Sequence, residues 1–257
     1  MSVHSISFVG AGNVATHLAL AVKAAGFEVR DVFSLHKKHA DTLALRVGAR
    51  PVGLLQDLDR EADLIILAIP DKTIELVAHA LPSTKSIIAH TSGITPLDVL
   101  RHLPRYGVFY PLQTFSKDRD PDVSGVPFCL EAGSEEVMTG LTEVAEKLSA
   151  SVYRINSEQR KYLHLAAVLV NNYTNYLYRM AFDILDEKQI DSALLMPLIE
   201  ETFAKIREMH PHKAQTGPAR RKDLPTIEKH LSLLEEFPEY KELYSIFAEQ
   251  IIKKYHE

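Results

Sequence analysis

The stretch "GAGNVA" at 10–15 has the spacing G-x-G-x-x-A, directly after the apolar run "SISFV" and directly before a segment of helical periodicity. Such spacing suits a pyrophosphate. Gly10 permits a tight turn off a strand, and Gly12, without a Cβ, lets phosphate oxygens approach the backbone. Ala15 keeps the helix close to a sheet, and the N-terminus of that helix offers free N–H groups and a dipole that favour an anion. The expected ligand is therefore a dinucleotide. Its sugar contact is set at the end of the second strand, where an acid would accept from a ribose 2′-OH. Asp31 is about the right distance on, but Val32 and Phe33 continue the strand beyond it. The strand end holds Ser34, His36, Lys37 and Lys38, a hydroxyl and three potential cations that suit a 2′-phosphate. The expected cofactor is NADP, with NAD the lesser alternative. Further along, "LAIPD" at 67–71 and "HTSGI" at 90–94 each close a β-like run. Ligands of parallel sheets bind outside the carboxyl ends of strands. Ile69 and Pro70 are thus expected beneath the cofactor, and His90, Ser92 and Gly93 near its nicotinamide end. Asp71 is expected to cap the helix that follows.

The elements that must hold these residues follow from the rhythm of the chain. β-rich runs ("SISFV", "EVRDVF", "LIILAI", "SIIAH", "YGVFY", "PFCLEA", "SVYRI") alternate with helical spacing at 14–25, 38–47, 73–81 and 135–148. Alternation of this kind predicts βαβ units and a mainly parallel, Rossmann-type sheet over 1–155. "LIILAI" lacks polar alternation, as a central strand covered on both faces should. From 156 the rhythm changes: no glycine or proline occurs between 141 and 196, and 156–187 reads as one long helix capped by Asn156 or Ser157. Helices are also predicted at 192–209, 224–236 and 238–255, the second capped by Asp223 with Pro225 in its first turn. The fold class expected is α/β, an N-terminal parallel sheet followed by an all-helical C-terminal domain over 156–257. Apolar residues around most of the long helix predict burial against other helices or a second subunit, hence a homodimer through the helical domain.

Composition bounds the alternatives. With 257 residues, 46% hydrophobic and 25% charged, the chain can form one large or two smaller globular cores. A net charge of −5 gives no basic field for nucleic acid or an anionic membrane. The single cysteine, Cys129, excludes an internal disulfide and sits in an apolar run, which suits a reducing, cytoplasmic setting. No signal peptide or membrane-length apolar run is expected. The twelve histidines are scattered, and "MHPH" at 209–212 lacks a completing ligand at a useful spacing, so no metal is expected. "KKYHE" at 253–257 reads as a solvated tail.

Taken together, "GAGNVA", "AIPD", "HTSGI", "YPLQTF" at 110–115, "HLAAVLVNN" at 164–172 and "TGPARRKDLPTIEKHL" at 216–231 resemble the Rossmann-like proteins with a DUF2520 C-terminal domain. That family is described as NADP oxidoreductases of the F420-dependent type, similar in layout to pyrroline-5-carboxylate reductase and the β-hydroxyacid dehydrogenases. The F420 wording is a label only; no residue of this chain demands that cofactor. The resemblance implies cofactor contacts from Gly10, Gly12, Asn13 and Val14. It implies a cleft lined by Ser92, Gly93, Pro111, Gln113, His164, Asn172, Arg221 and Asp223. The chain departs from the family pattern at Leu35, where Arg is common, at Tyr110, where His is common, and at Arg221-Lys222-Asp223, where "RGD" is common.

In that layout the long helix passes over the nicotinamide. His164 and Asn172, two turns apart, are then placed to meet a substrate's polar atoms. A hydride acceptor needs a proton donor or charge stabiliser, and a histidine with near-neutral pKa suits the task. His164 is the leading acid/base candidate, Asn172 an orienting group, and Lys161 the alternative acid. Arg221 could clamp a substrate carboxylate bidentately, and His230 could turn toward the cleft. The expected function is hydride transfer between NADP and a small carbonyl, alcohol or imine. The alternative is a non-catalytic NADP(H)-binding sensor or scaffold.

Overall fold

The computed structural model describes residues 2–116 and 122–256. The chain divides into two compact units, Met1–Leu169 and Val170–Glu257. In the first, the strands are β1 (Ser5–Val9), β2 (Glu28–Phe33), β3 (Arg50–Val52), β4 (Leu64–Leu67), β5 (Ile87–His90), β6 (Tyr106–Pro111), β7 (Phe128–Ala132) and β8 (Val152–Arg154). They form one sheet in the order β3-β2-β1-β4-β5-β6-β7-β8, parallel throughout except for the antiparallel β6–β7 pair. The helices of this unit are α1 (Asn13–Ala24), α2 (Lys37–Val47), α3 (Ile74–Ala80), α4 (Glu135–Leu148) and α5 (Ser157–Ala167).

The unbroken apolar run of β4 is explained by two-sided burial. Leu64 and Ile66 pack into one core with Ile6 and Phe8 of β1, Leu18 and Val22 of α1, Leu43 of α2 and Leu141 of α4. Ile65 and Leu67 point the other way, to Val9, Ile88 and Ile74 of α3. Successive side chains of a strand face opposite sides, so a central strand between two helical layers has no polar register. The chain leaves β1, crosses to the sheet's far edge through β2 and β3, and returns beside β1 as β4. Strand order reverses between β1 and β4, and in open α/β sheets the crevice at such a reversal is where ligands bind.

Two features of this unit differ from the reading of the sequence. β3, a three-residue edge strand, escaped it because Pro51 breaks the signal; an edge tolerates the missing N–H. Asp71 does not cap a helix through its side chain but lies in a 3-10 turn, Asp71–Thr73, with Pro70 before it.

The second unit is helical: α6 (Thr174–Glu187), α7 (Met196–Glu208), the short turns α8 (Pro211–Ala214) and α9 (Pro218–Arg221), α10 (Leu224–Leu233) and α11 (Pro238–His256). The long helix expected over 156–187 is interrupted in the middle. α5 passes into a π-helical segment, Val168–Tyr173, before α6 resumes, and the division between compact units falls inside it. π turns are rare and concentrate at functional sites. Asn156 caps α5 in a capping box with Gln159. His230 bonds the Tyr244 hydroxyl at 2.7 Å, within this unit. The C-terminal segment is packed rather than freely solvated: Tyr255 stacks on His212, lies under Arg220 at 4.2 Å and donates to the His212 carbonyl at 2.8 Å.

Candidate functional site

The turn after β1 shows what each glycine does. Gly10 has φ +120°, and a Cβ there would lie 2.1 Å from the Ala68 carbonyl oxygen at the end of β4. Its requirement is internal to the fold: the two strands at the reversal meet too closely for any side chain. Gly12 is different. Its φ of −81° is open to any residue, and a Cβ there would meet nothing within 4 Å. The fold makes no demand for glycine at this position, and the space in front of it is open. Helix α1 starts here with no side-chain cap and no acid in its first turn, which leaves its amide end to an anion. Val14 is half-buried against the core, and Ala15 is wholly buried. Asn13 donates from its side-chain amide to the Phe115 carbonyl at 2.9 Å, which leaves its backbone N–H and its Oδ1 for a ligand.

Inside β2, two residues before its end, Asp31 is occupied. Its carboxylate, 1% exposed, takes a fork of bonds from Arg50 at 2.8 and 2.9 Å and another from the Asp59 amide. It cannot accept from a ribose hydroxyl. Ser34, His36 and Lys37 follow at the strand's carboxyl end, where α2 begins with no acid in its first turn. Ser34 Oγ accepts from the His36 amide at 3.2 Å. Lys37 pairs with Asp41 at 2.6 Å but is 81% exposed, and such pairs contribute little. Ile69 and Pro70 close β4 beside Gly10, with the Ile69 side chain against it.

At the carboxyl end of β5, His90 is fully buried, and Nδ1 accepts from the Ser92 amide at 3.2 Å. Burial, with the Arg160 charge adding to it, pushes its pKa down to about 3. It is a neutral, structural histidine that presents no surface to a ligand. Ser92, expected as a cofactor contact, has a structural task instead. Its hydroxyl accepts from the amides of Ile94 and Thr95 and donates to Thr95 Oγ1, and it is 6% exposed.

Gly93 and His164, far apart in the chain, are brought together. A Cβ on Gly93 would lie 2.5 Å from His164 Nδ1, so the imidazole rests on bare backbone. The Tyr110 hydroxyl, on β6, meets the same nitrogen at 3.1 Å, with the rings edge-on. Burial pushes the Tyr110 phenol up to about 12. α5 is pinned by Arg160, one turn before His164. Fully buried, Arg160 pairs with Glu131 of β7 and donates to the Thr95 carbonyl at 2.5 Å, while Glu131 also takes the Ser157 amide and hydroxyl at 2.8 and 2.7 Å.

Gln113 is exposed, its Oε1 accepting from the Thr114 amide. Lys161 lies 3.8 Å from Glu158 and is 43% exposed. Asn172 belongs to the π segment and is exposed in the second unit, as is Arg221. Asp223, expected at the substrate, is a helix cap. Its two oxygens take the Thr226 amide and hydroxyl, which hold its pKa below the usual carboxylate value. Sequence reasoning passed over Tyr110 as a site residue and missed Arg160. A polar-tipped aromatic at a strand's carboxyl end could have flagged the first, and the lone acid in "VPFCLEA" the partner of the second. Among the described residues no cluster of His, Cys, Asp and Glu could hold a metal ion.

This arrangement has counterparts. Residues 2–114 match the model of a Rossmann-like domain and residues 126–251 that of DUF2520, a domain of unknown function. The solved structure of a candidate NADP oxidoreductase from Bacteroides fragilis is 39% identical over 98% of each chain, with a TM-score of 0.91. The chain belongs to the Rossmann-like DUF2520 family. No curated protein matches it. The fold of this DUF2520 protein is shared more widely. A reductive aminase from Aspergillus terreus, solved with NADPH and ethyl-5-oxohexanoate, is 15% identical over 98% of this chain and 95% of its own, TM-score 0.73. A 1-pyrroline-5-carboxylate reductase from Streptococcus pyogenes is 17% identical over 97% of each, TM-score 0.66.

Proposed function

We propose that the protein is an NADP-dependent oxidoreductase that moves hydride between the nicotinamide and a small carbonyl, alcohol or imine. One observation carries this: Gly12 is a glycine that neither backbone angle nor neighbouring atom requires, at the uncapped start of α1, beside the point where strand order reverses. A pyrophosphate is the partner that explains it. The 39% identical relative is named for NADP, and the occupied Asp31 beside Ser34, His36 and Lys37 supports NADP over NAD.

NADPH, when bound, supplies the hydride. The chain's own residues do the rest. The α1 amides hold the pyrophosphate. Ser34, His36 and Lys37 would take the 2′-phosphate, with Lys37 released from Asp41. His164, resting on Gly93, meets the oxygen or nitrogen of the substrate as charge develops there. Lys161, one turn earlier and half-exposed, is the alternative donor.

The homodimer is part of the same reading. In the helical unit Val170, Tyr173, Leu194, Leu198 and Phe203 are each more than half exposed, and that much apolar surface calls for a second copy. Light scattering returning a monomer's mass would reject this. The lone buried cysteine and the absence, among the described residues, of a helix able to cross a membrane are in keeping with a cytoplasmic setting.

The test is NADPH consumption against a panel of small imines and ketones. Turnover that is lost in His164→Gln, with NADPH affinity kept, is expected. NADPH binding with no turnover on any compound would instead favour a sensor or scaffold.

A further inference from the structure

We propose that Tyr110 is a positioning residue which, with Gly93, holds His164 as the Nε2–H tautomer, so that a neutral imidazole offers Nε2–H to the substrate's oxygen or nitrogen. This rests on the oxidoreductase reading for its purpose, but not for its geometry.

A neutral imidazole carries one donor and one acceptor, and the partner of one nitrogen decides the state of the other. His164 Nδ1 lies 3.1 Å from the Tyr110 hydroxyl. Tyr110 is 8% exposed, and its phenol, pushed up to about 12, stays protonated through the working range. Among the described residues its hydroxyl has no other hydrogen-bond partner, so the hydroxyl hydrogen goes to Nδ1, the acceptor; the reverse would leave a buried O–H without one. Gly93 fixes the same edge of the ring through its backbone. A methyl group there would come within 2.5 Å of Nδ1, 2.7 Å of Cγ and 3.0 Å of Cβ. The near edge of the imidazole is thus in contact with backbone, and a ring flip would replace Nδ1 by a carbon and lose the tyrosine bond. Among the described residues Nε2 has no hydrogen-bond partner and is left for a ligand. A third element sets the distance: Arg160, on the same helix, ties α5 to the Thr95 carbonyl in the turn that carries Gly93. A fixed neutral donor stabilises charge as it develops on the acceptor without reorganising at that moment.

The tautomer can be read directly. Nitrogen-15 spectra of histidine-labelled full-length protein, with His164→Gln to assign the resonances, separate protonated from unprotonated ring nitrogens at a pH where the ring is neutral. The expected wild-type spectrum has a single form, Nε2 protonated and Nδ1 bare. Tyr110→Phe keeps the ring and removes the donor, and should move the Nδ1 signal toward the averaged position of a free imidazole. Gly93→Ala, which displaces the imidazole rather than its partner, should move it as well. A wild-type Nδ1–H form, or a Tyr110→Phe spectrum identical to wild type, would overturn the proposal. This readout needs neither cofactor nor substrate, so its failure is distinct from failure of the oxidoreductase reading, which NADPH binding and turnover decide. On a turned-over substrate, Tyr110→Phe should lower kcat roughly tenfold, the worth of one net hydrogen bond, with NADPH affinity unchanged; an equal kcat would overturn it.

Discussion

Replacing Arg160 by Met tests whether the placement of His164 depends on a buried charge. Arg160 is fully buried and joins three segments: it pairs with Glu131 on β7, donates to the Thr95 carbonyl at 2.5 Å in the turn after β5, and reaches Ser157 Oγ at 3.3 Å. Methionine fills much of the volume but answers neither the carboxylate nor the carbonyl. Removing one partner of a buried pair costs about 3–5 kcal/mol, because the other charge is stranded. Glu131 would keep the Ser157 amide and hydroxyl and is 16% exposed on its side chain, which places the cost near the lower end, about 3 kcal/mol. For a chain of this size that is a fall in Tm of roughly 6–12 °C. Thermal melts followed by circular dichroism read it, in parallel with NADPH titration. The expected result is the lower Tm with NADPH affinity unchanged and His164-dependent turnover reduced, since the glycine turn and the helix bearing His164 are held by different contacts. A Tm within about 3 °C of wild type, about 0.8–1.5 kcal/mol or less, would show that Arg160 does not pin α5 and would refute the reasoning.

Acid should weaken the fold through His90. Its folded pKa, about 3, lies below the usual 6.5, so the unfolded chain binds the extra proton; the associated stability is complete above pH 6.5 and falls as pH drops toward 3. Between pH 6.5 and 5 the loss should be about 1.6 kcal/mol in urea titrations, the slope approaching 1.36 kcal/mol per unit below pH 6, and His90→Gln should flatten that slope; an unchanged slope would count against it. Ser34→Asp places a carboxylate where the 2′-phosphate is expected, and should weaken NADPH at least about tenfold while sparing NADH, as each 1.4 kcal/mol of repulsion is tenfold. Equal losses for both cofactors would misplace the phosphate. Gly10→Ala should prevent folding, since the methyl group would sit 2.1 Å from a backbone oxygen at φ +120°; a folded, soluble variant would refute that contact.

The layered sheet was legible because its signals are local. β4 announces two-sided burial by lacking polar alternation, and the G-x-G-x-x-A spacing marks the handover from β1 to α1 whatever lies downstream. The sequence could also place Asp31 inside a strand, although not its pairing with Arg50, which depends on β3, a strand hidden by a proline. The site was harder to read because its contacts are long-range. Nothing near Gly93 shows that an imidazole from α5 will rest on it, and nothing near Arg160 shows that its partner is Glu131. Ser92 and Asp223 carry the right chemistry for ligands, but local geometry claims them first: a short polar side chain near a turn or helix start bonds the nearest amides. The π segment has no sequence signature at all, since a strongly helical composition is equally compatible with both windings.

The proposed function depends on an anionic diphosphate resting on the backbone at Gly12. Calorimetric titration of NADPH into wild-type and Gly12→Asp protein tests it most directly. A Cβ at Gly12 meets nothing within 4 Å, so the variant should fold as wild type does. Saturable binding to the wild type that disappears in folded Gly12→Asp is the predicted result. Equal NADPH affinity in the two proteins would contradict the account.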